Sequence, residues 1–315
     1  MQQKGSITVQ EFYEQQYRAR RYLEHASDKE LEQRLRDIMA NMTGLNEAGQ
    51  LTFLVGERQF DHLNMLFTHV LTEHQMRGRG FSPGLMMDVM LPNATAPDIP
   101  KSVLATRGRT LPKVGTYLVK LGKEEHIREA LEEGKFLINP ASTYGDPSLN
   151  QAIRDVELEL EVQAHPSDVK MEVYDGSSGA LKAPIQPVGN VTYTLRSRTN
   201  YYVYCMSAVY DYRLFDDFGY NSCLIIKNPQ EFIKRLIAGF KTVLPDWNGF
   251  AVPVTYYDPY NTTVSELNVF FCKHFRFAYQ KEVRVIWLPP APVASLSPVK
   301  LQLGSLKDCC EMVTL

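Results

Sequence analysis

The chain has 315 residues, of which 44% are hydrophobic and 22% charged, a composition that excludes an intrinsically disordered protein. Its formal net charge of −2 gives no support for nucleic-acid binding over the whole surface, although one local patch can still be basic. The first residues lack the apolar segment of a signal peptide, and no apolar run approaches the roughly 20 residues of a membrane span. We therefore expect a cytoplasmic protein that does not enter a membrane.

The cysteines and histidines indicate a reduced protein without a metal site. The number of cysteines is odd, and none of them form a Cys-x-x-Cys pair, which favours a reduced, intracellular chain. The seven histidines show no ligand spacing with the cysteines, so we expect no metal. The cysteines are Cys205, Cys223, Cys272, Cys309 and Cys310.

Residues 6 to about 78 have the apolar spacing of amphipathic helices. Ser6 or Thr8 could cap the first helix, and Ser27 followed three residues later by Glu30 resembles a capping box for the next. The pattern therefore predicts a helical region at the start of the chain.

A connecting segment follows over residues 80–112, where proline and turn residues are frequent. From Lys101 to Lys123 there are six basic residues and no acidic one. Such a run usually marks a solvated surface, but it is also where an anionic ligand would be received. We place an N-terminal helical region and connecting segment over residues 1–100 and an α/β domain over residues 101–315.

Strands and helices then alternate. We predict a strand over residues 115–120, a helix over residues 123–133 that ends at Gly134, and a short strand over residues 136–138. The later pattern predicts a polar turn, a helix around Leu149–Ile153, a capped helix and several strands, with strands over residues 156–163, 201–207, 222–226, 250–257 and 269–272 and the capped helix from residue 228 onwards.

The stretch from Tyr279 to Arg284 carries the most chemical information. Its aromatic and β-branched surroundings predict a strand, in which Gln280 and Glu282 share one face with Arg284 beside them. Lys281 would then lie on the otherwise apolar face, which requires a β-bulge or an edge position. The alternative interpretation of the stretch is a half-exposed strand with polar residues on its solvated side.

The Gln-x-Glu pattern on a late strand, preceded by a basic residue on an early strand, resembles the ADP-ribosyltransferase family. The order of elements over residues 115–290 is similar to that fold as well. The resemblance implies an α+β protein whose core is an ADP-ribosyltransferase-like split mixed β-sheet, next to the N-terminal helical region.

The resemblance also implies roles for residues in this sequence. Glu282 would stabilise the oxocarbenium-like ribose that forms as nicotinamide leaves NAD, and Gln280 would orient the acceptor. Arg284 would form a structural ion pair. Tyr117 and Lys120, in the strand predicted over residues 115–120, would bind NAD, and Lys120 would hold its phosphates or ribose, with Arg107 or Arg109 sharing that role.

The middle of the chain supplies the remaining candidates for NAD binding. Ser142 and Thr143 could bond a ribose or carboxamide and Tyr144 could stack on nicotinamide, although the same residues are typical of an ordinary turn. Ser207 is a second candidate for the hydroxyl. NAD is expected as a substrate, without a metal.

Two other segments have more than one interpretation. Acidic residues between Asp146 and Glu159 could suggest a metal-dependent nuclease, but the sequence lacks the expected Glu-x-Lys, so we predict a solvated surface. Residues 211–219 resemble a family loop that covers the cofactor, and they could equally form a packed helix.

The layout of the whole chain is similar to bacterial mRNA-modifying toxins of toxin–antitoxin–chaperone phage-defence systems. This implies RNA as the acceptor, a cognate antitoxin and a SecB-like chaperone as partners. The alternatives are an NAD glycohydrolase toxin on the same fold, and a non-catalytic binding or sensor protein.

Overall fold

The structure, a computed structural model, describes residues 7–46, 50–56, 59–82, 84–85 and 113–315. Arg107, Arg109 and most of the predicted connecting segment lie outside these residues. Within them, no helix combines the length and apolarity needed to cross a membrane.

The N-terminal region is helical, as predicted. Helices α1 and α2 each begin with a capping box, in which Thr8 pairs with Glu11 and Ser27 with Glu30. A short antiparallel pair of strands separates α2 from α3. The elements are α1 (Val9–Ala19), α2 (Asp28–Met42), β1 (Thr43–Leu45), β2 (Leu51–Phe53) and α3 (Phe60–Met76).

These helices pack directly against the later part of the chain. Their apolar core includes Phe275, and Tyr256 and Tyr260 pack on its edge. Arg34 of α2 forms a buried ion pair with Asp258. The helical region therefore shares buried contacts with the region that carries the candidate site.

The remaining elements combine helices with antiparallel strands. The helices are α4 (Glu124–Glu133), α5 (Tyr212–Phe218) and α6 (Pro229–Val243). The strands are β3 (Leu118–Gly122), β4 (Lys135–Pro140), β5 (Glu159–Ala164), β6 (Val191–Arg196), β7 (Tyr202–Ser207), β8 (Ser222–Ile226), β9 (Asn248–Pro253), β10 (Thr255–Tyr257), β11 (Cys272–His274), β12 (Glu282–Leu288), β13 (Val299–Gln302) and β14 (Cys310–Thr314).

Eight of the strands form one sheet that divides at β7. One edge of β7 pairs with β4 near Val203 and with β3 only through Val119 and Ser207, while β12 pairs with its other edge. The arms are therefore β13-β4-β7-β12-β9 and β14-β8-β3, which meet at the end of β7.

Every pair in this sheet is antiparallel, so the expected mixed sheet is wrong for the described residues, and the fold class is α+β. The parallel pair β10–β11 forms a separate small sheet. The helix predicted around Leu149–Ile153 is also wrong, since this segment forms turns. Asn150 explains the difference, because its side chain accepts from the Ala152 amide and so competes with a helical turn.

The two faces of the sheet are covered differently. Helices α4 and α6 bury one face, with Phe232, Leu236 and Phe240 packed against Tyr204 and Trp287. On the other face, α5 covers β3 and β8 through Leu214 and Phe215. The neighbouring part of that face, beside β7 and β12, carries the candidate site.

Candidate active site

The segment before Glu282 is a 3₁₀ helix rather than the predicted strand. This helix spans Phe275–Gln280, and β12 begins only at Glu282. The His274 side chain accepts a hydrogen bond from the Arg276 amide and so caps the turn. The strand prediction is wrong here because tertiary contacts override the β-propensity of the aromatic residues.

Asn41 of α2 makes two of those contacts. Its side-chain oxygen accepts from the Tyr279 amide at 2.6 Å, and its amide group donates to the Arg276 carbonyl at 3.2 Å. The N-terminal helical region therefore fixes the backbone that leads into Glu282.

Lys281 ends the 3₁₀ helix in the left-handed conformation, with φ 42° and ψ 53°. Among the described residues, it is the one non-glycine residue with positive φ. This reversal, rather than a β-bulge or an edge position, takes the Lys281 side chain away from the apolar face. It also leaves Gln280 and Glu282 close together although they do not share a strand.

Glu282 has a cation on each of its carboxylate oxygens. Arg284 Nε donates to Oε1 at 2.5 Å, and Lys273 Nζ donates to Oε2 at 2.8 Å. The Glu282 amide donates to the Tyr256 hydroxyl at 2.8 Å. The side chain is only 5% exposed, so these contacts hold the carboxylate in one orientation.

Arg284 forms the expected ion pair and extends it to a second carboxylate. Its Nη1 and Nη2 atoms lie 2.7 and 2.9 Å from the oxygens of Glu157. Glu157 is buried, so the prediction that it belongs to a solvated surface is wrong. The prediction fails because Arg284, which lies on a distant part of the chain, compensates the buried charge.

The cluster of Asp155, Glu157, Lys273, Glu282 and Arg284 is named the carboxylate network below. Burial raises the pKa of Glu282, but Arg284 and Lys273 outweigh burial and hold that pKa well below its ordinary value. Burial raises the pKa of Glu157 to about 7 against the opposing charge of Arg284. The two carboxyl groups on one guanidinium therefore differ widely in pKa.

Gln280 is enclosed by protein groups. Its side-chain oxygen accepts from Lys273 Nζ at 3.3 Å, and its amide nitrogen donates to the Ala152 carbonyl at 2.8 Å. The residue is 4% exposed. Lys273 therefore binds both members of the Gln-x-Glu pattern.

Ser207 and Tyr144 lie on the Glu282 side of the sheet. Ser207 pairs with Glu282 across β7 and β12, and its hydroxyl donates to the Gln280 carbonyl at 2.8 Å. Tyr144 packs beside Cys205, and the charges of Glu157 and Glu282 reach its phenol. The structure thus brings together four of the predicted residues, Gln280, Glu282, Ser207 and Tyr144.

Lys120 and Tyr117 are placed differently. Val119 lies opposite Ser207, so Lys120, the next residue, starts from the other face of the sheet. Its amino group donates to the Cys205 carbonyl at 2.9 Å and lies 4.5 Å from the centroid of the Tyr204 ring. The Tyr117 hydroxyl accepts from the Tyr210 amide. The assignment of Lys120 and Tyr117 to NAD stays a prediction.

Ser142 and Thr143 lie in an exposed 3₁₀ turn over Ala141–Gly145. Asn200 holds this turn, because its side chain accepts from the Ser142 amide and donates to the Ser142 hydroxyl. Both hydroxyl-bearing residues are therefore at the surface, while Tyr144 is partly buried.

Residues 211–219 form the packed helix that was one of their two interpretations. Helix α5 is capped by Asp211 at its start and by left-handed Gly219 at its end. Arg213 lies over the Tyr279 ring at 4.0 Å and donates to the Ala40 carbonyl. The helix thereby joins α2 to the segment before Glu282.

A cleft of about 240 Å³ opens beside Lys281, between the N-terminal region and the segments that follow β7 and precede β12. Four aromatic residues line it, together with polar side chains. Lys281 lines this cleft, whereas its two neighbours in the sequence, Gln280 and Glu282, are buried. The aromatic residues are Phe60, Tyr210, Tyr212 and Tyr279.

Glu24, His25 and His165 come close enough together to be considered as metal ligands. However, His165 Nδ1 accepts a hydrogen bond from the Ser167 amide at 3.2 Å, so a neutral ring carries its proton on Nε2. That nitrogen is the one that faces Glu24. His25 Nε2 lies 3.1 Å from Glu24 Oε1, whereas His165 Nε2, 3.9 Å from that oxygen, has no hydrogen-bond partner among the described residues.

Sequence reasoning missed Lys273 as a member of the site. A signal was present, since Lys273 follows Phe270, Phe271 and Cys272 inside a strongly apolar run. A lysine in such a run must find a compensating charge if it is buried.

Comparison of the chain with protein-family models, with curated proteins and with solved structures finds no match. The functional argument therefore rests on the residues and geometry described above.

Proposed function

We propose that this protein is a mono-ADP-ribosyltransferase toxin that transfers ADP-ribose from NAD to a macromolecule, with RNA as the acceptor. The observation that carries the proposal is the arrangement of Gln280 and Glu282 around left-handed Lys281, at the point where the split sheet divides. The sequence resemblance supplies the reaction and NAD as the substrate.

Glu282 has the charge that this reaction requires. Because its pKa is held low, the carboxylate is ionised and can stabilise positive charge that develops on the ribose. Each oxygen has one protein donor, and a carboxylate has about four acceptor positions, so acceptor positions are left for a ribose hydroxyl. Because Glu282 is buried, the proposed reaction requires an opening that admits NAD.

The cleft beside Lys281 supports RNA as the acceptor. Aromatic rings stack on unpaired bases, and Lys281 in the lining, beside Asp211, can contact a phosphate. The similarity in chain layout to mRNA-modifying toxins adds a cognate antitoxin and a SecB-like chaperone to the proposal, with a role in phage defence.

A second candidate is an NAD glycohydrolase, in which water accepts the ADP-ribose. The environment of Gln280 favours it, because both ends of that amide bind protein groups and the residue does not line the cleft. An amide held in this way does not present itself to a macromolecular acceptor.

The experiment is incubation of the protein with NAD labelled in the adenylate phosphate, together with total RNA or cell protein. Transfer of label to RNA supports the first proposal, and free ADP-ribose without labelled macromolecules supports the second. Intact NAD with no label transfer would exclude both.

The matched variants are Glu282→Gln and Glu159→Gln, the second on the half-exposed strand β5. We expect a loss of about 100-fold or more for E282Q, as for other removed electrostatic stabilisers, and no loss for E159Q. Circular dichroism checks that E282Q is folded. Unchanged NAD turnover in folded E282Q would contradict the role of Glu282.

A further inference from the structure

Lys273 is the residue that joins the two members of the Gln-x-Glu pattern. It lies on β11, four strands after β7 in the sequence and just before the 3₁₀ helix. Its amino group is 2.8 Å from Glu282 Oε2 and 3.3 Å from Gln280 Oε1. It also lies 3.8 Å from Asp155 Oδ2.

The amino group of Lys273 is buried, so it cannot serve as a solvated surface charge. The Lys273 side chain is 4% exposed, and its amino group lies 4.4 Å from the centroid of the Phe277 ring. Burying a charged lysine costs free energy, and the surrounding carboxylates, the Gln280 oxygen and the Phe277 ring offset this cost.

We infer that Lys273 is a positioning residue, which holds the Glu282 carboxylate and the Gln280 amide in one fixed relation for reaction with NAD. This inference rests on the proposed function and names a residue that neither the Gln-x-Glu pattern nor the family resemblance contains.

The physical reason is that Gln280 and Glu282 belong to different elements. Gln280 ends the 3₁₀ helix and Glu282 begins β12, with left-handed Lys281 between them. Nothing in a regular strand therefore sets the distance between the two side chains. One amino group that donates to both oxygens sets that distance directly.

Lys273 also supplies half of the cationic charge that contacts Glu282. The charged or titratable groups that surround this carboxyl are Lys273 on β11, Arg284 on β12, Cys205 on β7, Tyr256 on β10, Tyr144 in the turn after β4, and Asp155 and Glu157 before β5. The charge of Glu282 also acts on the amino group of Lys120 on β3. If Lys273 is lost, Arg284 remains as the contacting cation, so protonation of Glu282 becomes easier.

The test compares Lys273→Met, Lys273→Arg and Lys300→Met in the full chain, with NAD cleavage measured as free nicotinamide across a range of pH. Lys300 is an exposed lysine on β13, so K300M is the matched control for the substitution itself. We expect K273M to lower kcat/KM by about 100-fold through kcat, as for a misplaced reacting group. The acid limb of its pH profile should move upward by about one pH unit or more.

K273R, which keeps the charge, should recover the position of the acid limb and part of kcat. K273M with the kcat and pH profile of the unaltered protein would overturn the inference. If K273M does not fold, the K273R variant decides the test. K273R with an unaltered kcat and an acid limb moved upward would also overturn the inference. An unaltered protein that leaves NAD intact is a different outcome, since that result removes the proposed function and this inference with it.

Discussion

Two buried groups of charges join distant parts of this chain, and they are built in opposite ways. Arg34 and Asp258 form a closed pair, with two contacts of 2.7 and 2.6 Å between the guanidinium and the carboxylate. The carboxylate network instead contains three carboxylates against two cations, Lys273 and Arg284. The pair is balanced in charge, whereas the network has one negative charge in excess when all its groups are ionised.

The surroundings reinforce this difference. Asp258 also accepts from Asn261 and from the Tyr260 amide, so its charge is fully compensated. Burial raises the pKa of Asp258, yet Arg34 outweighs burial and lowers the pKa to about 2. In the network, burial raises the pKa of Glu157 to about 7. A balanced pair is typical of structural contacts, and carboxyl groups with divergent pKa values are typical of reacting sites.

The same substitution, arginine to methionine, separates these environments, and Arg284→Met should have the largest effect. It leaves Glu157 and Glu282 buried together with only Lys273 to compensate them, so we expect a loss near the upper end of about 3–5 kcal/mol in the free energy of unfolding. Urea unfolding followed by tryptophan fluorescence measures this loss. An exposed ion pair contributes about 1 kcal/mol at most. A loss of stability no larger than this for R284M would contradict the role of Arg284 in compensating the buried carboxylates.

Arg34→Met should cost less, about 3 kcal/mol, because Asp258 keeps its bonds to Asn261 and the Tyr260 amide. The double variant Arg34→Met/Asp258→Asn should recover part of this loss, since it removes the uncompensated charge as well. Equal stability of the single and double variants would show that Asp258 does not depend on Arg34.

Glu157 of the network and Asp258 of the pair should respond to pH with opposite sign. The folded-state pKa of Glu157, about 7, is above its ordinary 4.5, so its contribution to stability is complete below pH 4.5 and is lost as the pH rises to 7. The folded-state pKa of Asp258, about 2, is below its ordinary 3.8, so its contribution is lost as the pH falls between these values. Urea unfolding at several pH values measures both effects.

Glu157→Gln and Asp258→Asn are the matched controls for that titration. Relative to the unaltered protein, E157Q should gain stability as the pH rises from 4.5 to 7, and D258N should gain as it falls from 3.8 to 2. Parallel curves for E157Q and the unaltered protein would mean that Glu157 does not titrate in this range.

Arg20→Met should have the smallest effect of the arginine series. Arg20 pairs with Asp168 at the surface, where the two side chains are 64% and 46% exposed. We expect a change below about 1 kcal/mol, which salt reduces further. A loss as large as that of R34M would break the distinction between buried and exposed pairs.

Local sequence patterns correctly predicted the elements whose start or end depends on residues that are neighbours in the sequence. The capping box at Ser27 and Glu30, the stop of α4 at Gly134 and the Asn228-Pro229 start of α6 all depend on neighbouring residues, and all are present. Two predictions are wrong: the helix over Leu149–Ile153 and the strand before Glu282. In both places side-chain hydrogen bonds, from Asn150 and from Asn41, replace the backbone pattern that propensity favours.

For the candidate site, the sequence by itself determined the chemistry of Gln280, Glu282 and Arg284, because a carboxylate near an amide and a guanidinium is recognisable from residue types alone. Only the tertiary structure decided that Glu157 and Lys273 join them, since both come from segments that are not next to β12 in the sequence. The reason is the low dielectric of the interior, where every buried charge must have a partner. Folding, not spacing along the chain, selects that partner.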